Sequence, residues 1–190
     1  FILALLMVLP IVASAATPYS TYTYSIDGEL LNSPDAYVPD VAIDSATLGL
    51  DVKLTAPSDI EADEEGNLYI TDAGNNRIVV TDKHYRLKYI IKTFVNNDGV
   101  DDAFSSPTST FVVDSGEMKG LYVCDTFNKR ILVFNQDDGS FIREISEPVS
   151  ELIKTGQYAP IGCVVDKHGR IFVVSNKTTE GIIVLTADAQ

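Results

Sequence analysis

The sequence is short of the groups that most recognition chemistries need. Only 14 of its 190 residues are lysine or arginine, against 27 aspartate or glutamate, and the net charge is −13. A surface that negative repels phosphate backbones, which excludes nucleic acid as a partner. There are two histidines, His84 and His168, so a three-histidine zinc site cannot be assembled from this chain. Both lie in polar, turn-like stretches, "DKHYR" and "DKHGR", and read as surface residues. The two cysteines, Cys124 and Cys163, show no metal-binding spacing. Each sits in an apolar strand-like run and reads as a small buried hydrophobe, with a bridge as the alternative in an exported chain. Helical periodicity is also scarce: only 147–156, "EPVSELIKTG", fits a short helix, with Ser146 as its cap.

Long apolar runs are missing too. The stretch from Phe1 to Val12 is shorter than the ~20 residues that span a bilayer as a helix. It is followed by Ala13 and Ala15 in an A-x-A arrangement, the pattern of a secretory leader over 1–16. The initiator methionine and the basic segment that should precede it are absent, so truncation at the N-terminus is expected. The leader implies a secreted or extracytoplasmic protein whose membrane contact is transient, unless the leader stays on as an anchor.

What the sequence does have is apolar content, 45% of residues, and an internal repeat. Three copies start at Ala56, Ser106 and Ala159, with Pro57, Pro107 and Pro160 recurring at intervals of about fifty residues, the size of a four-stranded propeller blade. Each copy has an apolar run ending in an acid, a glycine turn (Gly66, Gly120, Gly169) suited to left-handed backbone, and a second strand: "NLYITD", "LYVCD" or "RIFVVS". A polar turn returns the chain into a third strand. "RLKYIIKTF" and "SFIREIS" supply a more polar fourth strand, as an outer edge requires.

The shared phrase resembles the NHL repeat. It is carried by Pro57, Asp63, Gly66, Leu68, Tyr69, Asp72, Asn75, Arg77 and Ile78, and again by Pro107, Asp114, Gly120, Leu121, Tyr122, Asp125, Asn128, Arg130 and Ile131. The third copy departs from it, with Ser175 in place of the aspartate, Gly181 in place of the arginine, and a turn one residue longer. The resemblance implies an all-β protein built of β-propeller blades, each of four antiparallel strands. Three blades are expected here, over 56–105, 106–158 and an incomplete 159–190, of a ring of about six, so the chain is expected to lack its C-terminal half. Residues 17–55 do not fit the repeat, but "STYTYSI" has the alternation of a strand and Asp27–Gly28 is a turn signal, so 20–32 is expected to supply a ring-closing strand.

Asp72 and Asp125 stand five residues before Arg77 and Arg130, bracketing a hairpin turn. A catalytic group is needed once per protein, whereas a joint is needed in every blade. Asp72, Asn75, Arg77, Asp125, Asn128 and Arg130 are therefore read as structural. The acid would accept turn N–H groups, the arginine would pair with it or with the next blade, and the asparagines would take unusual backbone angles. The acidic loop "NNDGVDD" at 96–102 fails the EF-hand spacing and reads as a solvated connector. Asn176 in "NKT" matches a glycosylation acceptor. Tyr19, Tyr22 and Tyr24 read as strand packing. No catalytic, cofactor-binding or metal-binding residue is assigned.

The expected function is a non-catalytic binding or scaffold module that presents propeller loops to a protein, glycan or small ligand. The alternative is a metal-dependent hydrolase or lyase of the gluconolactonase-like kind, its ligands spread over several blades. A weaker third idea is attachment to a membrane through a retained N-terminus or a C-terminal segment. Open apolar blade faces are expected to make the isolated piece associate.

Overall fold

The computed structural model describes residues 22–33, 41–151, 153, 156–176 and 181–186. The expected leader, Tyr19 and most of the turn after Asn176 lie outside them. The strands in chain order are β1 (Tyr22–Tyr24), β2 (Leu30–Asn32), β3 (Pro57–Ala62), β4 (Leu68–Asp72), β5 (Arg77–Thr81), β6 (Leu87–Ile91), β7 (Thr93–Val95), β8 (Asp101–Ala103), β9 (Pro107–Val113), β10 (Gly120–Asp125), β11 (Arg130–Phe134), β12 (Phe141–Ile145), β13 (Pro160–Val165), β14 (Ile171–Ser175) and β15 (Ile183–Leu185). Among the described residues there is no α-helix, only a 3-10 turn over Ala73–Asn75. The described part of 147–156 forms an isolated bridge between Ser150 and Ile153 where a helix was expected.

The chain divides into two units, one up to Ala42 and one from Ile43. In the first, β1 and β2 form a two-stranded antiparallel hairpin. Its Tyr22 and Tyr24 are exposed and meet edge to face at 5.7 Å.

In the second unit the strands run as meanders: β3-β4-β5-β6, β9-β10-β11-β12 and β13-β14-β15. The first two are the expected four-stranded blades, and the third shows three strands among the described residues. The blades stand side by side through their first strands, β3 against β9 and β9 against β13. Ser58 Oγ donates to the Thr108 carbonyl at 2.8 Å, and Thr110 N–H donates to Asp59 at 2.8 Å.

Every residue of β10 and β11 is buried, because a blade is covered on both faces by its neighbours. That is why "LYVCD" and "RILVF" read as continuous apolar runs without polar alternation. Successive residues serve opposite seams. Leu121, Val123, Leu132 and Phe134 meet Tyr69, Ile78 and Val80 of the first blade, while Tyr122, Cys124, Ile131 and Val133 meet Cys163, Ile171 and Val173 of the third.

The segments between blades are ordered parts of these seams. Residues 93–103 fold as the β7–β8 hairpin, and Phe94 and Phe104 are buried in the seam between the first two blades, stacking and edging against Phe134 and Phe141. Tyr158 is fully buried in the second seam. Ahead of the first blade, Leu48 is buried against Ile70 and Val79, with Leu50 and Leu54 beside it. The loop at 96–102 is thus no loose connector: its tip is solvated, but its stem is a strand pair.

One turn differs from expectation. Gly66 and Gly169 are left-handed, but in the second blade that role falls to Gly116. Gly120 opens β10, where an added Cβ would meet Val133 Cγ1 at 2.9 Å. Its size is required there, for close approach of β11.

Candidate functional site

The repeated motif forms one joint, built twice. In the first blade the turn after β4 brings Asp72, Asn75 and Arg77 together. Asp72 is fully buried and accepts from Arg77 Nε at 2.7 Å, Asn75 Nδ2 at 2.8 Å and the backbone N–H of Thr55 at 2.7 Å. The donors that remain reach the incoming chain: Arg77 Nη2 donates to the Val52 carbonyl and Asn75 Nδ2 to the Lys53 carbonyl, both at 2.7 Å. The joint therefore clamps residues 52–55 to the end of the blade they lead into.

The second blade repeats this arrangement. Asp125 accepts from Arg130 Nε at 2.9 Å, Asn128 Nδ2 at 2.9 Å and Ser105 N–H at 2.7 Å. Asn128 and Arg130 both donate to the Ala103 carbonyl at 3.2 Å. Here the arginine holds more. Its Nη1 and Nη2 bind Asp102 at 2.7 and 2.9 Å as a bidentate pair, Nη1 reaches Glu144 at 3.0 Å, and the guanidinium lies 5.8 Å over the Phe94 ring. Burial pushes the Asp125 carboxyl up, and the Ser105, Asn128 and Arg130 donors push it back. Bonding to Arg130 holds Asp102 down at about 2. Nothing in the 96–102 spacing marked Asp102 as a ligand of Arg130; only its acidity hinted at a cationic partner.

Two expected details are corrected by this geometry. The carboxylates accept connector N–H groups in place of those of their own turn. The left-handed residues are Asn76 and Lys129, one position after the asparagines, which act through their side chains.

The third blade keeps the joint in reduced form. Ser175 Oγ accepts the N–H of Ala159 at 2.9 Å, one position further along the chain than the Thr55 and Ser105 N–H groups that Asp72 and Asp125 accept. A neutral hydroxyl needs no guanidinium beside it, so serine at 175 accords with glycine at 181, which has a φ of 76°. Asn176 is exposed, with its backbone N–H bonded to the Ala159 carbonyl at 2.9 Å.

His84 and His168 are exposed in turns capped by Asp82 and Asp166, their N–H groups donating at 2.8 and 2.9 Å. A groove of about 560 Å³ lies between β12 and the third blade and is lined by Met118, Arg143, Glu144, Glu147, Ile171 and Leu185. A smaller acidic recess of about 120 Å³ includes Asp63, Glu64, Asp114 and Lys119. Among the described residues no three His, Cys, Asp or Glu side chains are grouped to hold a metal ion, and no helix is long and apolar enough to cross a membrane.

No protein-family model matches the chain, and no curated protein matches it. Solved structures do. The chain is similar to hydrazine synthase of Kuenenia stuttgartiensis, with 17% identity and a TM-score of 0.53 over 80% of this chain and 36% of that one. It is also similar to a protein of Bacteroides fragilis named as a candidate exported protein, with 17% identity and a TM-score of 0.52 over 72% of this chain and 36% of that one. A third is a Bacteroides uniformis protein named as a candidate 6-phosphogluconolactonase, with 14% identity and a TM-score of 0.50 over 90% of this chain and 48% of that one. The chain thus spans between 36% and 48% of these structures' own length. The likeness is one of fold: all-β, with the four-stranded antiparallel blades of a β-propeller.

Proposed function

We propose that this chain is part of an extracytoplasmic β-propeller of the NHL-repeat type, acting as a binding or scaffold module without catalysis of its own. The observation that carries the reading is how the repeated polar residues are used. Asp72, Asn75, Arg77, Asp125, Asn128 and Arg130 spend their hydrogen bonds on connectors and on one another, which is what a scaffold joint does. Function then rests with the surfaces the joints hold in place. The ligand class is a protein, glycan or small molecule at the loops. Export is supported by the leader pattern at 1–16 and by the likeness to a candidate exported protein.

The test uses the full-length protein, purified from its native compartment and assayed for bound metal and for lactone hydrolysis. Absence of turnover, together with retention of a ligand in a pull-down from extracytoplasmic extract that loop substitutions abolish, is the expected result. Stoichiometric metal with turnover would overturn it in favour of the metal-dependent hydrolase or lyase.

A further inference from the structure

The seam between the second and third blades holds a pair of cysteines that the joint does not use. Cys124 lies in β10 opposite Ile131 and Ser109, and its side chain faces the third blade. Cys163 lies in β13 opposite Val173 and faces the second blade. Both are buried, both are reduced, and both belong to the same core cluster. The two strands are drawn together close by: Thr126 Oγ1 donates to the Pro160 carbonyl at 2.6 Å, and Thr108 Oγ1 approaches the Ile161 carbonyl at 3.2 Å. Their strands pack directly against each other, and burial beside Cys163 holds the Cys124 thiol well above its ordinary range. Tyr158 sits in the same cluster with its hydroxyl buried and unpartnered. At the positions of Cys124 and Cys163 the first blade has Thr71 and Ile60, which pair with strand neighbours in the same register, Thr71 buried and Ile60 exposed.

We propose that Cys124 and Cys163 are an inter-blade redox pair, which a small-molecule disulfide of the glutathione class oxidises to a bond that locks the second and third blades together. One cysteine, deprotonated when the seam opens, attacks the small disulfide. Its sulfur–sulfur bond breaks, one thiol leaves carrying the proton, and a mixed disulfide remains. The second cysteine attacks the protein sulfur of that adduct, forms the Cys124–Cys163 bond and expels the second thiol. Two protein thiols lose two hydrogens, and one small disulfide becomes two thiols. Burial and the raised thiol make the closed seam unreactive, so the reaction waits on opening of the seam, and the product prevents opening again. The bond also closes a loop of about forty residues, which restricts the unfolded chain.

The test treats the purified full-length protein with oxidised glutathione, with and without low denaturant, and traps remaining thiols by alkylation after unfolding. The expected result is a mass loss of two hydrogens per chain, a Cys124–Cys163 cross-linked peptide in a non-reducing digest, and a melting midpoint several degrees higher that falls back on reduction. Cys124→Thr and Cys163→Ile, the residues of the first blade, should each abolish the cross-link and the shift. If a variant does not fold, the wild-type peptide map decides alone. Persistent free thiols at low denaturant, glutathione adducts on single cysteines, cross-links between chains, or a cross-link that lowers the midpoint would each overturn the proposal.

Discussion

At the scale of single residues, the two arginines of the joint look interchangeable in sequence and are not so in space. Arg77 neutralises one buried carboxylate, whereas Arg130 binds Asp125, Asp102 and Glu144. Arg130→Met should therefore destabilise the protein by about 3–5 kcal/mol, the range for breaking a buried pair from one side. Arg77→Met should cost less, with chemical denaturation ranking the two. Ser175→Ala removes the acceptor for a buried N–H and should cost ~1–3 kcal/mol. Ser175→Asp, which restores the acid of the first two blades without its arginine, should be no better. Acid should expose the Asp102 contact. Its carboxyl titrates at about 2 in the fold against an ordinary 3.8, so the stability it contributes is present above the ordinary value and is lost as pH falls through about 2. Asp102→Asn should flatten the fall of the melting midpoint over that window. The acid, amide and arginine of the joint were legible in the sequence because they recur at fixed offsets. Asp102 was not, because a contact to a residue 28 positions away leaves no periodic trace.

At the scale of elements, the second and third strands of each blade were legible as apolar runs, and their hairpins as glycine or Asx turns. The connectors were not. A tip such as Asn96–Gly99 advertises solvent, and nothing local says that Phe94 and Phe104 on its two sides are buried in a seam. The stretch at 147–156 misled in the opposite way: its spacing of Val149, Leu152 and Ile153 satisfies a helical face, but Ile153 packs into the second seam and bridges to Ser150, while Val149 is exposed. Phe94→Ala should cost about 3–5 kcal/mol, as truncation of a packed aromatic does. Val100→Ala at the exposed tip should change stability by no more than ~0.5 kcal/mol. Thermal or denaturant unfolding of the two variants side by side tests whether the hairpin is core or cover.

At the scale of the whole molecule, the repeat predicted four-stranded antiparallel blades, and the likeness to solved propellers agrees in fold. On the third blade Val164, Phe172, Val174 and Val184 share the face turned away from the second, and three of the four are exposed. That face corresponds to the one through which Tyr69 and Tyr122 fill the two closed seams. Left open, it should drive association of these 190 residues. Phe172→Asp should reduce concentration-dependent self-association in sedimentation without lowering the melting midpoint, since the side chain contributes little to the seam behind it.

The connectors carry one more consequence. Each follows one blade in sequence and leads into the next, and its aromatic or aliphatic side chains fill the gap between the two before the newer blade arrives. A chain emerging from a ribosome can thus seal the exposed flank of what has already folded with the segment made immediately afterwards. Assembly acquires a direction, with the flank left by each finished blade covered by the chain that follows it.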